Sequence, residues 1–304
     1  MWPSKGPHNQ AGGRNVDVRA RQAHTAYVLL MGICGIAFGA GVFLAFSRPS
    51  EIDPPWGGPP TDGTEIVRRY VWYLTVGIGA GVASGLLIIG AGGRLAMRLL
   101  AITADEAAQG RITEAEEVVG RITLDGTVGF VLFFGAFGGL VTGILYVLMN
   151  KVLPSNAFKG ALFGLALLVT AGTRIEPLRV SNPDFDIVGP GWVSITVFTA
   201  LGIVHGAVLA TIAGRYSRRL PLLSAERSVL VRYLPLLLLL PAFPLIAFFA
   251  VGAGLLVALH RFPALVEAMH SPPALKWSRA IAVLIILVAT PSFVIAVTDI
   301  AGRS

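Results

Sequence analysis

Long runs of apolar residues are the feature of this chain that most limits how it can fold. Seven of them occur, at residues 26–46, 70–91, 126–149, 158–173, 191–214, 233–259 and 280–298. A helix needs about 20 residues to cross the hydrocarbon core of a bilayer, within a range of roughly 17 to 25. The run at 158–173 is marginal and can instead form a re-entrant hairpin. The sequence therefore predicts an all-α, polytopic membrane helical bundle of about seven transmembrane segments.

The composition indicates that lipid is the solvent of this chain. Charged residues make up 13% of it, whereas soluble domains carry roughly a quarter. The net charge of +7 does not indicate a nucleic-acid partner, because the arginines lie in short clusters between apolar runs. Such clusters orient bilayer proteins, and the basic residues before the first run predict a cytoplasmic N-terminus. We expect a multi-pass protein of the bacterial cytoplasmic membrane that contacts the bilayer and its anionic headgroups.

The segments outside the apolar runs divide the chain into a tail, a bundle and two charged connectors. Residues 1–25 are polar and lack a helical or strand period, so they are predicted to be a disordered basic tail. Residues 26–300 are predicted to form the transmembrane bundle, with a capped-helix connector at 92–125 and a second connector at 174–190. Prolines in the run at 233–259 predict a kinked or broken helix there.

Glycines spaced four residues apart recur in several of the predicted spans. Lipid tails are as apolar as leucine, so helices in a bilayer associate where small residues let their backbones approach. The spacing predicts a tightly packed bundle; the alternative is self-association, or binding of a membrane-protein partner, through an exposed glycine face. The glycines concerned are Gly35 and Gly39, then Gly77, Gly81 and Gly85, then Gly135, Gly139 and Gly143, then Gly160 and Gly164, and finally Gly202 and Gly206.

A ten-residue repeat lies in the first connector, where TADEAAQGRI (103–112) is followed by TEAEEVVGRI (113–122). Each copy opens with threonine and has glutamate three residues later, which is the pattern of a capping box at a helix start. Each copy closes on Gly-Arg-Ile, and a glycine past a helix end supplies a left-handed stop. The repeat therefore predicts two short capped helices in succession.

Charged side chains of this connector form the first candidate binding site. Arg94 and Arg98 are four residues apart and hence on one helical face, on an amphipathic extension of the second span. They are predicted either to contact lipid phosphates or to form an anion site or a buried ion pair with the acidic residues that follow. The other candidate members of this site are Arg111, Glu114, Glu117 and Arg121.

The second connector and the run after it supply the remaining candidates. His205 lies deep in a predicted span and is a functional candidate there, the alternative being a hydrogen bond between helices. Asp184 and Asp186, with Arg174 and Arg179, can line a mouth of the bundle or close a loop. The sequence lacks metal-ligand, phosphate-loop and paired-aspartate motifs, so no catalytic residue, metal or cofactor is predicted.

Three stretches, GRLAMRLLA, TEAEEVVGRITLDGT and NPDFDIVGPGW, resemble a group of uncharacterised multi-pass membrane proteins of actinobacteria. The resemblance covers roughly residues 70–220 and implies a membrane location and a helical bundle, without an established activity. It also implies that the two charged connectors belong together, and we expect them to cover or gate the bundle. Connectors on the same side of the membrane can touch, whereas connectors on opposite sides each close their own end.

Three functions remain open on the sequence. The first is a solute- or ion-passing bundle, in which Arg94, Arg98 and the acidic loop form a polar vestibule and His205 lines the interior. The second is a non-catalytic subunit or scaffold of a membrane complex that packs through its glycine faces. The third is an interfacial lipid-modifying enzyme that uses His205 or the two aspartates of the second connector.

Overall fold

A computed structural model describes residues 10–47, 51–240, 243–262, 265, 267–268 and 271–303. Most of these residues are helical, and no β-strand occurs within these ranges. The nearest approach to one is an isolated antiparallel bridge between Ile112 and Val118. The predicted all-α class is confirmed.

The helices follow one another along the chain, and several contain a π-helical segment. In chain order they are α1 (Gln10–Ala45), α2 (Gly63–Ser84), a π segment (Gly85–Gly92), α3 (Gly93–Thr103), a 3₁₀ turn (Glu106–Ala108), α4 (Leu124–Phe130), a second π segment (Val131–Phe137), α5 (Gly138–Met149), α6 (Lys159–Leu167), a third π segment (Leu168–Gly172), a second 3₁₀ turn (Pro183–Asp186), α7 (Gly191–Ser217), α8 (Arg227–Leu230), a 3₁₀ helix (Val231–Leu239), α9 (Phe243–Leu259) and α10 (Pro272–Ala301). The π segments are continuous with the α-helices beside them, so α2 runs into α3 and α4 into α5.

Five helices of the described residues are long and apolar enough to cross a membrane: Thr25–Ala45, Gly63–Thr103, Leu124–Met149, Gly191–Ser217 and Pro272–Ala301. Two further apolar helices, Lys159–Gly172 and Pro244–Leu259, are shorter. The chain is thus all-helical with several candidate membrane-spanning helices, as predicted. Seven spans, and a re-entrant hairpin at 158–173, are not confirmed.

The proline-containing run at 233–259 is broken, as predicted. Pro235 lies within the 3₁₀ helix Val231–Leu239, where its ring cannot supply the N–H that a continuing α-helix needs. Leu239 packs beside Ile78 in the interior part of α2. The side chain of Val257, in α9, approaches Gly63 at the start of α2. The two pieces therefore pass along α2 towards its middle and back towards its first residue.

The first helix differs from the sequence prediction at its N-terminal end. It begins at Gln10, inside the segment for which disorder was predicted, and residues 1–9 lie outside the described residues. Nucleating a new helix is unfavourable, whereas extending an existing one adds a hydrogen bond for each residue fixed. The apolar part of α1 therefore provides a nucleus from which the helix continues backwards through the alanine- and arginine-containing tail.

Contacts between loops assign each loop to one of two ends of the bundle. At the first end the connector 104–123 contacts the connector 173–190, since the backbone N–H of Glu114 donates to Asp184 Oδ1 at 2.8 Å; we call this end the connector face. Tyr27, at the start of the apolar part of α1, lies there, under the Arg98 guanidinium at 5.6 Å. At the other end, which we call the opposite face, Lys159 Nζ pairs with Glu51 at 2.7 Å.

Glycines bring two pairs of helices into backbone contact. A Cβ atom added at Gly81 in α2 would meet the carbonyl oxygen of Gly139 in α5 and would lie 2.8 Å from the Cα atom of Gly143. A Cβ atom added at Gly206 in α7 would lie 2.9 Å from the Cα atom of Gly164 in α6. Such close approach is possible only without side chains, and it increases the dispersion contacts that hold helices together in lipid.

Candidate functional site

The decapeptide repeat does not form two capped helices, and this prediction is wrong. In the first copy Thr103 is the last residue of α3, and its hydroxyl donates back to the Leu99 carbonyl instead of starting a new helix. After Thr103 only Glu106–Ala108 is helical, as a single 3₁₀ turn. In the second copy the Thr113 hydroxyl accepts from the backbone N–H of Glu117 at 3.2 Å and so closes a loop. A capping box needs a helix to follow, and contacts with the second connector bend the chain here instead.

The two glycines that end the repeat copies do adopt the left-handed backbone conformation that was predicted for them. Gly110 has a φ angle of 82° and Gly120 one of 84°. The backbone N–H of Gly110 donates to the Val119 carbonyl at 3.2 Å, which joins the ends of the two copies. The glycines therefore shape the turns of one compact loop in place of two helix ends.

Glu114 joins the two connectors, which are therefore in contact. Its carboxylate forms an ion pair with Arg179, which also pairs with Glu176 at 3.2 Å. Its backbone N–H donates to Asp184 Oδ1 at 2.8 Å. The connectors thus lie on the same end of the bundle and are held by one polar cluster, which we call the connector clasp and define as Glu114, Glu176, Arg179 and Asp184.

Charges within the connector clasp change one another's proton affinity. Hydrogen bonding to the Arg179 guanidinium lowers the pKa of the Glu114 carboxyl. Partial burial raises the pKa of Asp184, and the nearby negative charge of Glu114 adds to this rise. Burial likewise raises the pKa of Glu176, against the effect of Arg179. The clasp therefore lowers the pKa of Glu114 and raises the pKa values of Asp184 and Glu176.

Arg94 is buried, with 8% of its surface exposed. Its Nη2 donates to Thr127 Oγ1 at 2.9 Å and its guanidinium lies 5.8 Å from the Phe130 ring. The negative charge of Glu117 attracts the Arg94 guanidinium. Among the described residues the two groups do not come within the 4 Å of an ion pair. The carboxylate of Glu117 instead lies against Gly126 at the start of α4. Arg94 thus ties α3 to α4 from inside the bundle.

The other arginines of the first connector do not join Arg94 in one site. Arg98 Nη1 donates to the Gly120 carbonyl at 3.3 Å, which holds the end of the repeat against α3. Arg111 and Arg121 are exposed. The charge of Arg121 acts on Asp125 in the first turn of α4. The structure therefore separates the predicted basic residues into two that hold the connector and two that face outwards.

His205 is buried, with 4% of its surface exposed, at the contact between α7 and α5. Its Nε2 lies 2.9 Å from the hydroxyl of Thr142. That hydroxyl is also placed to donate to the Gly139 carbonyl at 3.0 Å. The Nδ1 atom has no hydrogen-bond partner among the described residues. The ring therefore forms the interhelical hydrogen bond that was the alternative to a functional role.

Asp186 is engaged separately from Asp184. Its carboxylate pairs with Arg303 Nη1 at 3.7 Å. Arg303 also donates to the Val180 carbonyl at 2.8 Å and pairs with Asp299 at 2.6 Å, so the end of α10 is fastened to the second connector. The two aspartates therefore have different partners and do not form a pair of facing carboxylates.

Lys159 is a buried charge to which the sequence reasoning gave no role. Only 3% of its surface is exposed, and its ammonium pairs with Glu51. The backbone N–H of Asp53 donates to Ser217 Oγ at 3.1 Å, which fixes the same loop. Glu51 and Lys159 are separated by 108 residues, so no local spacing could have revealed the pair.

The described residues form, among others, two open cavities. One has a volume of about 540 Å³ and is lined by Arg68, Leu223, Ser224, Ala225 and Leu230. The other has a volume of about 320 Å³ and is lined by Thr170, Arg174, Leu284, Ile285, Val288 and Ala289. Neither of them includes His205. Within the described ranges no three His, Cys, Asp or Glu side chains are grouped so that they could hold a metal ion.

Comparison with known proteins gives no relative for this arrangement. No family model, no curated protein and no solved structure matches the chain. The resemblance to membrane proteins of actinobacteria therefore stays a prediction.

Proposed function

We propose that this protein is a non-catalytic membrane scaffold that self-associates through α1. The observation that carries the proposal is a difference between glycines. Gly81 and Gly139, like Gly164 and Gly206, lie against the backbone of another helix of the same chain. Around Gly35 and Gly39 in α1, a built Cβ atom would meet nothing within 4 Å.

The free glycines of α1 form one continuous strip. Gly32, Gly35, Ile36 and Gly39 follow the spacing of one helical face. The same spacing packs helices against each other inside this bundle, and the apolar window of α1 is only 11% buried. A second copy supplies an identical strip, and a two-fold axis makes such a surface self-complementary. Cys34 is buried and faces away from the strip, towards the bundle.

The other two functions have less support from the geometry. A solute-passing bundle with His205 in its lumen requires water to reach the ring, which is packed between helices and bonded to Thr142. A lipid-modifying enzyme based on Asp184 and Asp186 requires free carboxylates near each other, and these two are bound to different groups. A location in the bacterial cytoplasmic membrane, with the N-terminus in the cytoplasm, is the setting we propose for the scaffold.

Cross-linking in lipid tests the proposal. The only cysteine, Cys34, is replaced by alanine, and Ile36, which is 77% exposed on the strip, is replaced by cysteine. In proteoliposomes at low protein density we expect this protein to form disulfide-linked dimers on mild oxidation. Adding Gly35→Leu and Gly39→Leu should abolish them, because leucine side chains would hold the two helices apart.

A matched control is available in α4. Gly129 also has nothing within 4 Å of a built Cβ, so Gly129→Leu adds the same side chain to a different lipid-exposed glycine. We expect dimers to persist with this change. If the Ile36→Cys protein gives no dimers, or gives them equally well with leucine at residues 35 and 39, self-association through α1 is ruled out.

A further inference from the structure

The helix that starts at Lys159 is too short to reach from one side of a bilayer to the other. It comprises the 9 residues of α6 and the 5 residues of the π segment that follows. At about 1.5 Å per residue this amounts to roughly 21 Å, whereas the hydrocarbon core is about 30 Å thick. Its first residue is fixed on the opposite face by the ion pair with Glu51. The chain therefore leaves this helix before it reaches the level of the connector face.

A crevice lies between the end of this short helix and α10. It has a volume of about 320 Å³, at the lower end of the roughly 300–1,000 Å³ that is usual for ligand sites. One wall is apolar and consists of Leu284, Ile285, Val288 and Ala289. These four residues lie near the middle of the 30-residue helix α10. The apolar wall is thus at the level of the membrane interior, whereas Arg174 belongs to the second connector and lies towards the connector face.

The other wall of the crevice carries a positive charge. Arg174 is exposed, and its Nη1 donates to the Thr170 carbonyl at 2.8 Å, so its side chain folds back along the short helix. None of the ion pairs formed by the described residues involves Arg174. The neighbouring acidic residue Glu176 pairs with Arg179 instead. Arg174 therefore places an uncompensated charge beside an apolar wall.

An arginine in this position needs an anion. A guanidinium cannot be deprotonated in a protein, and a charge near the bilayer interior is costly unless headgroups or water come to it. Arginine binds phosphate through two parallel hydrogen bonds. We propose that the crevice is a binding site for an anionic phospholipid, whose phosphate lies on Arg174 and whose acyl chain lies along Leu284–Ala289. The short helix lets the headgroup descend to this level.

Charge complementarity selects an anionic lipid over a zwitterionic one. The lining residues of the crevice include Arg174 but no carboxylate that could pair with a choline or ethanolamine group. A phosphatidylglycerol molecule brings one net negative charge to one unpaired positive charge. A phosphatidylcholine molecule would bring a second positive charge next to Arg174.

Native mass spectrometry of the purified full-length protein tests this site. The protein is reconstituted with an equimolar mixture of phosphatidylglycerol and phosphatidylcholine, and the lipids that remain bound after detergent transfer are counted. We expect selective retention of phosphatidylglycerol. Arg174→Gln should weaken it by about tenfold, the effect of losing one hydrogen bond between charged groups. Arg111→Gln removes an exposed arginine from the same face and should leave retention unchanged.

A second pair of variants tests the apolar wall. Val288→Trp places a large ring in the crevice, whereas Ile281→Trp places it on α10 outside the lining residues; both side chains are more than half exposed, so neither change disturbs packed core. We expect only Val288→Trp to reduce phosphatidylglycerol retention. Equal retention by Arg174→Gln and Arg111→Gln would overturn the proposal. So would binding of inorganic phosphate at Arg174 with no preference between the two lipids.

Discussion

Replacing Gly81 by alanine should separate α2 from α5. The new Cβ would lie 2.8 Å from the Cα atom of Gly143, where ordinary contact is 3.4–4 Å, and would also meet the Gly139 carbonyl. The helices must therefore move apart by roughly 1 Å, and a gap of that size removes about a quarter to a half of each dispersion contact. Overpacking costs about 1–3 kcal/mol, and alanine returns about 1 kcal/mol of helix propensity. We expect a net loss of about 1 kcal/mol in the free energy of unfolding, with an upper limit of about 2 kcal/mol.

Gly35→Ala is the matched control for this change. It makes the same substitution on a glycine with nothing within 4 Å, so only the propensity gain of about 1 kcal/mol applies. Unfolding of both variants is followed by circular dichroism in mixtures of mild detergent and dodecyl sulfate, at concentrations where the protein is monomeric. The prediction is that the two shifts have opposite signs. Two shifts of the same sign and similar size would refute it, because the contact geometry would then not determine stability.

Three further predictions concern single polar contacts. Thr142→Val and His205→Leu should show a coupling energy of about 0.6 kcal/mol in a double-mutant cycle of unfolding; strictly additive losses would show that the 2.9 Å contact contributes nothing. Glu51→Gln should lower the free energy of unfolding by about 2 kcal/mol, because it leaves the Lys159 ammonium without its carboxylate. Adding Lys159→Met to the same chain should restore the lost stability. A further loss of stability in the double variant would contradict this explanation. Arg179 lowers the pKa of Glu114, so the stabilisation by Glu114 is complete above its ordinary pKa of about 4.3 and is lost as the pH falls through the lower folded value. Protection of the loop 110–120 from hydrogen exchange, expressed relative to the intrinsic rate at each pH, should therefore fall on acidification below about pH 4. Glu114→Gln should remove this dependence, and an unchanged profile in the variant would exclude the pair as its cause.

The long helices could be predicted from the sequence because their signal is local. The apolar run at 191–214 corresponds to α7, Gly191–Ser217, and the run at 26–46 contains the end of α1 at Ala45. Length and apolar content decide these helices wherever the rest of the chain lies. The number of spans was harder to predict. The run at 158–173 is short enough either to cross the membrane or to turn back within it, and the prolines in the run at 233–259 allow either a kinked or a broken helix.

The connector could not be predicted from the same kind of pattern. Thr113 and Glu116 have the spacing of a capping box, yet the Thr113 hydroxyl binds the backbone of Glu117. Glu114, the residue after Thr113, is held by Arg179 and Asp184, which are about 65 to 70 positions further along the chain. Local propensity is a weak prior that tertiary contacts override, and these contacts are not visible in a ten-residue window.

The arginines show the same limit within one helix. Arg94 and Arg98 lie on one face of α3, so their spacing gives no reason to expect different surroundings for them. In the structure Arg94 is buried against Thr127, whereas Arg98 reaches Gly120 and Tyr27 at the rim. Their difference arises from where α4 crosses α3, which no spacing within α3 encodes. Arg174 was predicted as part of a mouth, and its place beside α10 depends on how early the short helix ends.

The contacts of Tyr27 with Arg98 and of Arg303 with Val180 put the start of the apolar part of α1 and the end of α10 at the same end of the bundle. Tags inserted before α1 and after α10 would consequently share one compartment. The two fragments of a split fluorescent reporter attached at these points would therefore be on the same side of the membrane, and their fluorescence in living cells would report that arrangement.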